Sequence, residues 1–280
     1  MSYVYLNGDF LEQDKAFVSV LDRGFLLGDG IYEVIPAFNG KLFRLEQHLQ
    51  RLQNSLDAIH LVNPLQNNEW ENVLRQIVEK NGRGNLSIYL QITRGVAARD
   101  HTFPENTHPT VYIMSNPITP VKDKIRTGVS AITKDDPRWQ HCHIKTISLL
   151  ANVLLKQEAA QQGREEAILI KDNLLTEGAA SNIFIVKDGC IKTPAKSQYI
   201  LGGITRDLIV ELAHINQINC IETAITKTDL FAADEIWLSS STKEILAVTQ
   251  LNEQTIGSGL PGPMWQKMTR IYQKFKASLK

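Results

Sequence analysis

Lys145 is a candidate for chemistry because it stands where a predicted strand meets a predicted helix. It ends the segment His141-Cys142-His143-Ile144-Lys145 and precedes an amphipathic run over 146–162. Partial removal from water lowers the pKa of an ammonium group, and the neutral amine can then form a Schiff base. A solvated lysine at a helix start is the alternative interpretation of the same residues.

Two histidines close to this lysine raise the question of a metal site. His141 and His143 alternate with Cys142, so a strand would place both imidazoles on one face. A protein metal site usually needs further ligands, and none stands at a suitable spacing. The sequence therefore predicts no metal.

Two segments have the residue types of a phosphate site. Leu201-Gly202-Gly203-Ile204-Thr205 leads into a predicted helix, whose first backbone N–H groups and the Thr205 hydroxyl suit an anion. Ser240 and Ser241 follow a predicted strand, and the spacing of Ser241 to Glu244 is that of a capping box. This spacing predicts a second helix start rich in hydroxyl groups, although ordinary capping explains each segment equally well.

Cationic side chains form two further candidate sites. His48 and Arg51 stand three residues apart on the polar face of a predicted helix, where Arg51 could add to a phosphate site or be solvated. Arg99 and His101 lie on a predicted loop after a strand, where binding groups often occur. An arginine there can hold a carboxylate through two hydrogen bonds, and a neighbouring histidine can add a third.

The elements that must position these residues mix strands and helices in both halves of the chain. Asn7-Gly8 between two apolar runs predicts a hairpin, and one helical face over 146–162 would comprise Ile147, Leu150, Ala151, Leu154, Leu155 and Glu158. The mixture predicts an α+β fold, and two prolines within 115–120 predict a boundary between a domain over 1–117 and a domain over 118–280. Strands are predicted at 3–6, 10–11, 17–20, 86–92, 110–114, 127–133, 166–171, 181–187 and 235–238, and helices at 45–60, 69–80, 146–162, 205–216 and 263–278.

Composition excludes several classes of protein. The chain has 280 residues, 43% of them hydrophobic, and its 30 Lys+Arg balance 30 Asp+Glu, which is typical of a globular protein without broad affinity for nucleic acid. Three widely spaced cysteines give neither a disulfide framework nor a paired-cysteine zinc site. No signal-peptide pattern opens the chain and no apolar run approaches roughly 18 residues, which predicts a cytoplasmic protein without a membrane span.

Taken in order along the chain, the motifs resemble the fold-type IV pyridoxal-phosphate (PLP) aminotransferases. Within that family the chain is most similar to the D-amino-acid (D-alanine) transaminases, which carry the combination of Tyr32, Arg99 and His101. The resemblance runs nearly end to end and implies two α/β-type domains with the cofactor at the domain interface. It rests on Asp22-Arg23-Gly24, Gly28-Asp29-Gly30-Ile31-Tyr32-Glu33, His48-Leu49-Gln50-Arg51-Leu52, Ile144-Lys145-Thr146, Thr176-Glu177-Gly178, Ser181-Asn182 and Gly203-Ile204-Thr205-Arg206.

The resemblance implies a role for each candidate residue. Lys145 would form the Schiff base with PLP and then carry the substrate proton, and Glu177 would pair with the pyridine nitrogen. Tyr32, Arg99 and His101 would bind the substrate carboxylate, the last two reaching from the neighbouring subunit of a homodimer. The remaining contacts to the cofactor would come from Arg51, Ile204, Thr205, Ser240, Ser241 and Leu201.

The implied reaction is transamination between D-alanine and 2-oxoglutarate, giving pyruvate and D-glutamate. The amino-acid and 2-oxo-acid partners are small molecules, and no nucleic acid or membrane is implied. Three alternatives stay open on the same scaffold: branched-chain L-amino-acid transamination, 4-amino-4-deoxychorismate lysis, and PLP carriage without catalysis. Ala179-Ala180 stand where relatives often carry serines, and Ser241 where they often carry threonine, which bears on substrate range and rate.

Overall fold

A computed structural model describes residues 2–119 and 122–278 and divides the chain into two compact units. Unit 1 comprises Met1–Thr119 and Ile144–Leu149, and unit 2 comprises Pro120–His143 and Leu150–Lys280. The sequence-based division assigned all of 118–280 to the second domain. The segment Ile144–Leu149 instead packs within unit 1, because its main chain bonds to a strand there: the Tyr32 N–H donates to Lys145 O over 2.9 Å, and the Ile147 N–H to Gly30 O over 3.1 Å.

Unit 1 is an antiparallel sheet with two long helices. The sheet order is β2-β1-β6-β5-β3-β4, and Asn7 and Gly8 take positive φ angles of 50° and 111° in the predicted hairpin turn. Its elements are β1 (Tyr3–Leu6), β2 (Asp9–Glu12), a 3₁₀ turn (Gln13–Lys15), α1 (Arg23–Leu27), β3 (Gly30–Phe38), β4 (Lys41–Leu42), α2 (Leu45–Ala58), α3 (Asn67–Lys80), β5 (Leu86–Thr93) and β6 (Thr110–Pro117).

The core of unit 1 forms where α2 and α3 cover the sheet. Both helices carry apolar residues at spacings of three and four, and alternate residues of β3 and β5 face them. The buried residues of this cluster include Leu49, Leu52, Leu56, Trp70, Leu74, Ile77, Ile31, Ile35, Ile88 and Leu90. This packing fixes α2 against β3, the two elements that carry Arg51, His48, Tyr32 and Glu33.

Unit 2 is a larger mixed sheet with helices. The sheet order is β12-β11-β10-β13-β14-β7-β8-β9, with β15 paired to β14, and the pairs β7–β8, β7–β14 and β11–β12 are parallel. Its elements are α4 (Lys122–Thr127), β7 (Val129–Asp135), α5 (Leu150–Gln161), β8 (Glu166–Lys171), β9 (Leu174–Gly178), β10 (Asn182–Lys187), β11 (Cys190–Thr193), α6 (Ile204–Ile215), β12 (Cys220–Glu222), α7 (Lys227–Phe231), β13 (Glu235–Ser240), β14 (Glu244–Leu251), β15 (Gln254–Thr255) and α8 (Pro263–Ala277).

The strand predicted at 17–20 is wrong. Residues 16–19 have no regular secondary structure, and the side chains of Phe17 and Val20 are 82% and 68% exposed. Aromatic and β-branched residues favour strands only where a neighbouring strand completes the hydrogen bonding. In the described residues this segment pairs with none, and its apolar side chains face solvent.

The helix predicted from 146 begins at Leu150, and the predicted buried face is wrong. Ile31 and Thr146 form a β-bridge, which holds the chain extended before the helix. Leu155 and Ala159 are the buried residues of α5 and join a cluster with Ile132 of β7 and Leu169 of β8, whereas Leu150 and Leu154 are exposed. Almost every position in the first two turns of α5 is apolar, so periodicity alone does not define one face.

Within residues 2–119 and 122–278, no helix has both the length and the apolar character needed to cross a bilayer.

Candidate active site

Lys145 is held in unit 1 by its main chain. Its carbonyl accepts the Tyr32 N–H, and its own N–H donates to Ser55 Oγ over 3.3 Å. The Nζ atom lies 4.0 Å from the centre of the Tyr32 ring, which itself stacks on Tyr89 at 5.6 Å between centroids. The half-buried amine is therefore placed over an aromatic surface by hydrogen bonds that do not involve Nζ. The predicted position at the start of a helix is wrong, since Lys145 runs beside β3.

Arg51 faces a buried carboxylate of β3. Its Nε and one Nη each donate to Glu33 over 2.7 Å, and His48 Nδ1 lies 2.8 Å from the same carboxylate. Glu33 and His48 are each 1% exposed. Burial alone would raise the pKa of Glu33, but the Arg51 charge and the hydrogen bonds hold it well below its usual range. For the imidazole of His48 burial has the opposite effect: it lowers the pKa, so His48 is neutral at pH 7.

This arrangement decides against a solvated Arg51, one of the two interpretations that the sequence left open for α2. His48 and Arg51 do share one side of the helix, but that side is turned onto β3 and its charge is balanced by Glu33. Alternation along β3 gives the reason, because Glu33 lies on the same face of the strand as Ile31 and Ile35, the face that α2 covers. The two-residue period of β3 was the signal in the sequence that Glu33 is buried. That period does not identify Arg51 and His48 as its partners.

Arg99 and His101 lie on the loop between β5 and β6, and both are exposed. Between them, Asp100 Oδ1 accepts the His101 N–H over 2.6 Å and the Thr102 N–H over 3.4 Å. Both side chains therefore stand on a hydrogen-bonded turn and face solvent within this chain.

Glu177 is the penultimate residue of β9 in unit 2 and is surrounded by hydrogen-bond donors. Arg138 Nη1 donates to Oε1 over 2.5 Å, the Leu201 N–H to Oε2 over 3.0 Å, and Asn182 Nδ2 to Oε2 over 3.2 Å. Burial raises the pKa of Glu177 to about 7, while Arg138 and the Leu201 N–H act in the opposite direction. Arg138 also forms an ion pair with Asp136 over 2.7 Å. Glu177 is thus a buried carboxylate that titrates near neutral pH.

Sequence reasoning identified Glu177 but missed Arg138 and Asp136. Both directly follow β7, and Thr176 Oγ1 donates to Asp136 Oδ2 over 2.8 Å, which ties this loop to β9. Charged residues at a strand end were a detectable signal. Their pairing with Glu177 depends on the sheet order, which the sequence alone does not give.

The start of α6 is a helix N-terminus that no side chain in the described part of the chain caps. Ile204 and Thr205 are 7% and 4% exposed, and Gly203 at the N-cap has no side chain to accept the first helical N–H groups. Asn182 Nδ2 donates to Leu201 O over 2.8 Å, and a Cβ on Gly203 would lie only 1.9 Å from Asn182 Oδ1. Glycine is therefore required here so that the helix start can approach Asn182.

Ser240 and Ser241 do not begin a helix, so that prediction is wrong. Ser240 ends β13 and pairs with Glu244 of β14 across a turn, and Ser240 Oγ accepts the Lys243 N–H over 3.2 Å. The register Ile236–Val248 to Ser239–Ile245 buries apolar residues of both strands, which outweighs a single helix cap. The hydroxyl groups are nevertheless kept at the end of a central strand.

The two histidines before Lys145 lie in a turn, not a strand. His141 and His143 are both exposed, with ring centroids 5.8 Å apart. Cys142 between them is buried, and burial raises the pKa of its thiol to about 11, so the thiol stays protonated. Across residues 2–119 and 122–278 no group of three or more possible metal-ligating side chains occurs.

Comparisons with known proteins identify the family. Residues 30–251 match the family described as Amino-transferase class IV. The D-alanine aminotransferase of Bacillus licheniformis is 41% identical over 270 residues, covering 96% of this chain and 95% of that protein.

Solved structures extend the likeness to the fold. The branched-chain amino acid aminotransferase of Escherichia coli has a TM-score of 0.92 at 26% identity, over 100% of this chain and 95% of that chain. The PLP-bound form of a hypothetical aminotransferase from Mycobacterium tuberculosis has a TM-score of 0.85 at 26% identity, over 97% and 98% of the two chains. The predicted family and its two-sheet α+β fold are confirmed, and this chain belongs to the class IV aminotransferases.

Proposed function

We propose that this chain is a PLP-dependent D-amino-acid transaminase that converts D-alanine and 2-oxoglutarate to pyruvate and D-glutamate. The observation that carries the proposal is the presence of Lys145, held by its main chain over an aromatic ring, together with Glu177, a buried carboxylate surrounded by donors. The relative from Bacillus licheniformis, named a D-alanine aminotransferase, supports the choice of D-alanine. The PLP-bound structure from Mycobacterium tuberculosis supports the choice of cofactor.

The donor set fits PLP group by group. PLP presents an aldehyde, a phosphate and a pyridine nitrogen, which call for an amine, an anion site and a carboxylate. Lys145 would supply the amine and Glu177 the carboxylate. We further propose that the phosphate is held by Arg51, by the N–H groups of Ile204 and Thr205, and by Ser241, with Ser240 and Leu201 close to the ring. When bound, PLP supplies the electron sink for the substrate carbanion, which no side chain of this protein can provide.

Lys145 would move the substrate proton. Its Nζ acts as general base when it removes the proton at Cα and as general acid when it returns that proton. The carbonyl and N–H of Lys145 are bound to Tyr32 and Ser55, so the backbone stays fixed while the four-carbon side chain moves. The aromatic surface of Tyr32 limits the access of water to the amine on that side.

Glu177 and Arg51 would hold the two ends of the cofactor. Glu177 would keep a proton on the pyridine nitrogen, and the hydrogen bonds from Arg138, Asn182 and the Leu201 N–H would hold the carboxylate in place. Glu33 binds two nitrogens of Arg51 and so fixes the plane of its guanidinium group. Arg51 would thereby hold the phosphate end of the cofactor while Lys145 carries the proton.

Tyr32, Arg99 and His101 would bind the carboxylate of the substrate. Arg99 and His101 are exposed in this chain, which is consistent with their serving the active site of a neighbouring subunit. The large apolar side chains of Phe17, Val20 and Phe25 are 82%, 68% and 75% exposed, which supports a homodimer that covers them. We place this enzyme in the cytoplasm.

The test begins with the purified enzyme and its visible spectrum. D-alanine alone should bleach the band of enzyme-bound PLP, and pyruvate should accumulate only when 2-oxoglutarate is also present. Absence of a PLP band in the loaded enzyme, or a band unmoved by D-alanine, would overturn the proposal.

Branched-chain L-amino-acid transamination is the second candidate. The similar structure from Escherichia coli, which is 26% identical to this chain, is named a branched-chain amino acid aminotransferase. L-Leucine in place of D-alanine separates the two. A band bleached by L-leucine but not by D-alanine would favour the second candidate, and pyruvate formed from 4-amino-4-deoxychorismate without a 2-oxo acid would favour the lyase.

A further inference from the structure

Both functional side chains of this loop, Arg99 and His101, are exposed, so burial of these side chains does not fix its position. The inference below rests on the proposed function, in which both residues bind the substrate carboxylate. A binding group displaced by about 1 Å can lose on the order of 100-fold in rate, so whatever holds this loop bears on substrate recognition.

Arg23 reaches the loop from α1. Its Nη1 donates to the carbonyl of Asp100, the residue between Arg99 and His101, over 2.6 Å. Its Nε donates to Asp29 Oδ2 over 2.8 Å, and its side chain is only 3% exposed. A buried guanidinium group therefore binds the main chain of the loop midway between the two cationic residues.

Arg94 contacts the same loop at its far end. Its guanidinium carbon lies 3.7 Å from the centre of the Phe103 ring, in the geometry of a cation–π contact. Its other nitrogens donate to Ile59 O over 2.7 Å and His60 O over 3.2 Å, which fixes the group to the end of α2. The loop is thus held both within and beyond the Arg99–His101 segment.

Asp29 joins the two arginines. A single oxygen, Oδ2, accepts Arg23 Nε and Arg94 Nε, each over 2.8 Å. Burial would raise the pKa of Asp29, but the two guanidinium groups hold it below its usual value, so the carboxylate is charged at pH 7. Without it, two buried cations would face each other with no counter-ion between them.

We propose that Arg23, Asp29 and Arg94 form a clamp that positions the loop bearing Arg99 and His101 for recognition of the substrate carboxylate. The members of this clamp are positioning residues: they contact the loop, and the loop contacts the substrate. Arg23 matters most in the clamp, because it binds the loop backbone between the two cations.

Arg23→Lys tests the clamp in the PLP-loaded enzyme. Lysine keeps the positive charge beside Asp29 but has one nitrogen where arginine uses two, so the bond to Asp100 O and the bond to Asp29 compete. The KM values for D-alanine and for 2-oxoglutarate should both rise about 5- to 20-fold, with kcat within about twofold and the PLP band unchanged. Phe103→Leu should raise both KM values by about two- to fivefold, the size of an exposed cation–π contact.

Arg164→Lys is the matched control. Arg164 is also a largely buried arginine with two acceptors, Gln250 at 2.6 Å and Glu253 at 3.0 Å, but it lies in unit 2 on other elements. Its KM values should equal those of the wild type. Loss of stability alone would lower the active fraction, and hence kcat, in either variant without changing KM.

The same substitution in an Arg99→Ala/His101→Ala background decides the mechanism. If Arg23 acts through the loop cations, Arg23→Lys should leave the KM values of that background unchanged within about twofold. An equal rise in KM in both backgrounds, or wild-type KM values in Arg23→Lys alone, would overturn the clamp. Failure of wild-type enzyme to transaminate D-alanine would instead overturn the proposed function.

Discussion

At the scale of single residues, the hydrogen bonds around Glu177 fix the orientation of its carboxylate and so restrict what this group can do. Donors from three segments converge on its carboxylate: Arg138, Asn182 and the Leu201 N–H. A carboxylate fixed in this way can hold a proton on a cofactor nitrogen without turning. Its burial raises its pKa to about 7, so its charge responds to what binds beside it.

Glu177→Gln should separate proton control from anchoring. The amide keeps hydrogen-bonding capacity but cannot carry a charge, so we expect kcat to fall by about 100-fold or more, and the PLP dissociation constant to change by less than about tenfold. Single-turnover rates with D-alanine and PLP titration measure the two quantities. Glu253→Gln, an exposed acid of unit 2, is the control. A large loss of PLP affinity with kcat intact would mean that Glu177 serves only as an anchor.

The same residue predicts a pH effect in the cofactor-free enzyme. The pKa of Glu177 is raised by folding, from 4.5 to about 7. Its contribution to stability is therefore complete below pH 4.5 and is lost as the pH rises through 7. The free energy of unfolding of Glu177→Gln relative to wild type should rise between pH 5 and 8 by about 1–3 kcal/mol. Urea titrations across that range measure it, and a flat difference would contradict the effect.

The change of stability with pH that Glu33 causes has the opposite sign to that of Glu177. Arg51 and His48 hold its pKa below the unfolded value, so its stabilisation is present above pH 4.5 and is lost as the pH falls. Glu33→Gln leaves Arg51 without its counter-ion and should lower the free energy of unfolding at pH 7 by about 2–4 kcal/mol. The loss should shrink in urea titrations at pH 4. Glu46→Gln, which changes an exposed acid on the helix that carries Arg51, should alter the free energy of unfolding by less than about 0.5 kcal/mol.

At the scale of elements, local patterns were sufficient where one segment decides the structure. Asn7-Gly8 predicted its hairpin, and the helix predicted at 45–60 forms as α2, because turn chemistry and a helical apolar stripe are contained in the segment itself. The strand at 17–20 and the capping box at Ser241 failed for one reason. In each case the outcome depended on strand pairing with another element: no strand pairs with 17–20 in the described residues, and β14 pairs with the end of β13.

The same distinction between local and distant information applies to the residues of the candidate site. The motifs identified Lys145 and Glu177, because each lies in a short stretch of recognisable residues. Arg138, which binds Glu177, and Glu33, which binds Arg51, were missed because each partner comes from a different element. Only strand register and helix packing bring such pairs together.

Gly203→Ala tests the element that would bind the phosphate. A Cβ at this position would lie 1.9 Å from Asn182 Oδ1, so Asn182 or the start of α6 must move. We expect PLP affinity to fall by about tenfold or more, because the first-turn N–H groups lose their alignment. Gly202→Ala is a neighbouring control, since its Cβ would meet only the side chain of Lys196, with Cε at 3.8 Å. Equal PLP affinities in the two variants, measured by titration, would remove α6 from the phosphate site.

At the scale of the whole molecule, the exposed loop cations and the exposed apolar side chains lie in the same unit. Phe17 and Phe25 are 82% and 75% exposed, and contact with a partner chain would remove these apolar side chains from water. A two-fold dimer would bury such a surface on both copies and would exchange Arg99 and His101 between them. An intact active site would then require two chains.

Complementation between two impaired variants tests this exchange directly. Lys145→Ala lacks the amine and should be inactive with D-alanine. Arg99→Ala/His101→Ala lacks the carboxylate-binding side chains, so it should have a raised KM and only weak activity at D-alanine concentrations below the wild-type KM. In a heterodimer isolated through two different tags, one site would regain both Lys145 and the loop cations, while the other would lose both. Its activity should therefore be about half that of wild type. Cations that act within their own chain would leave every site of the heterodimer defective, so no recovery would be measured. Absence of any heterodimer, together with a monomeric mass by sedimentation, would contradict the assembly itself.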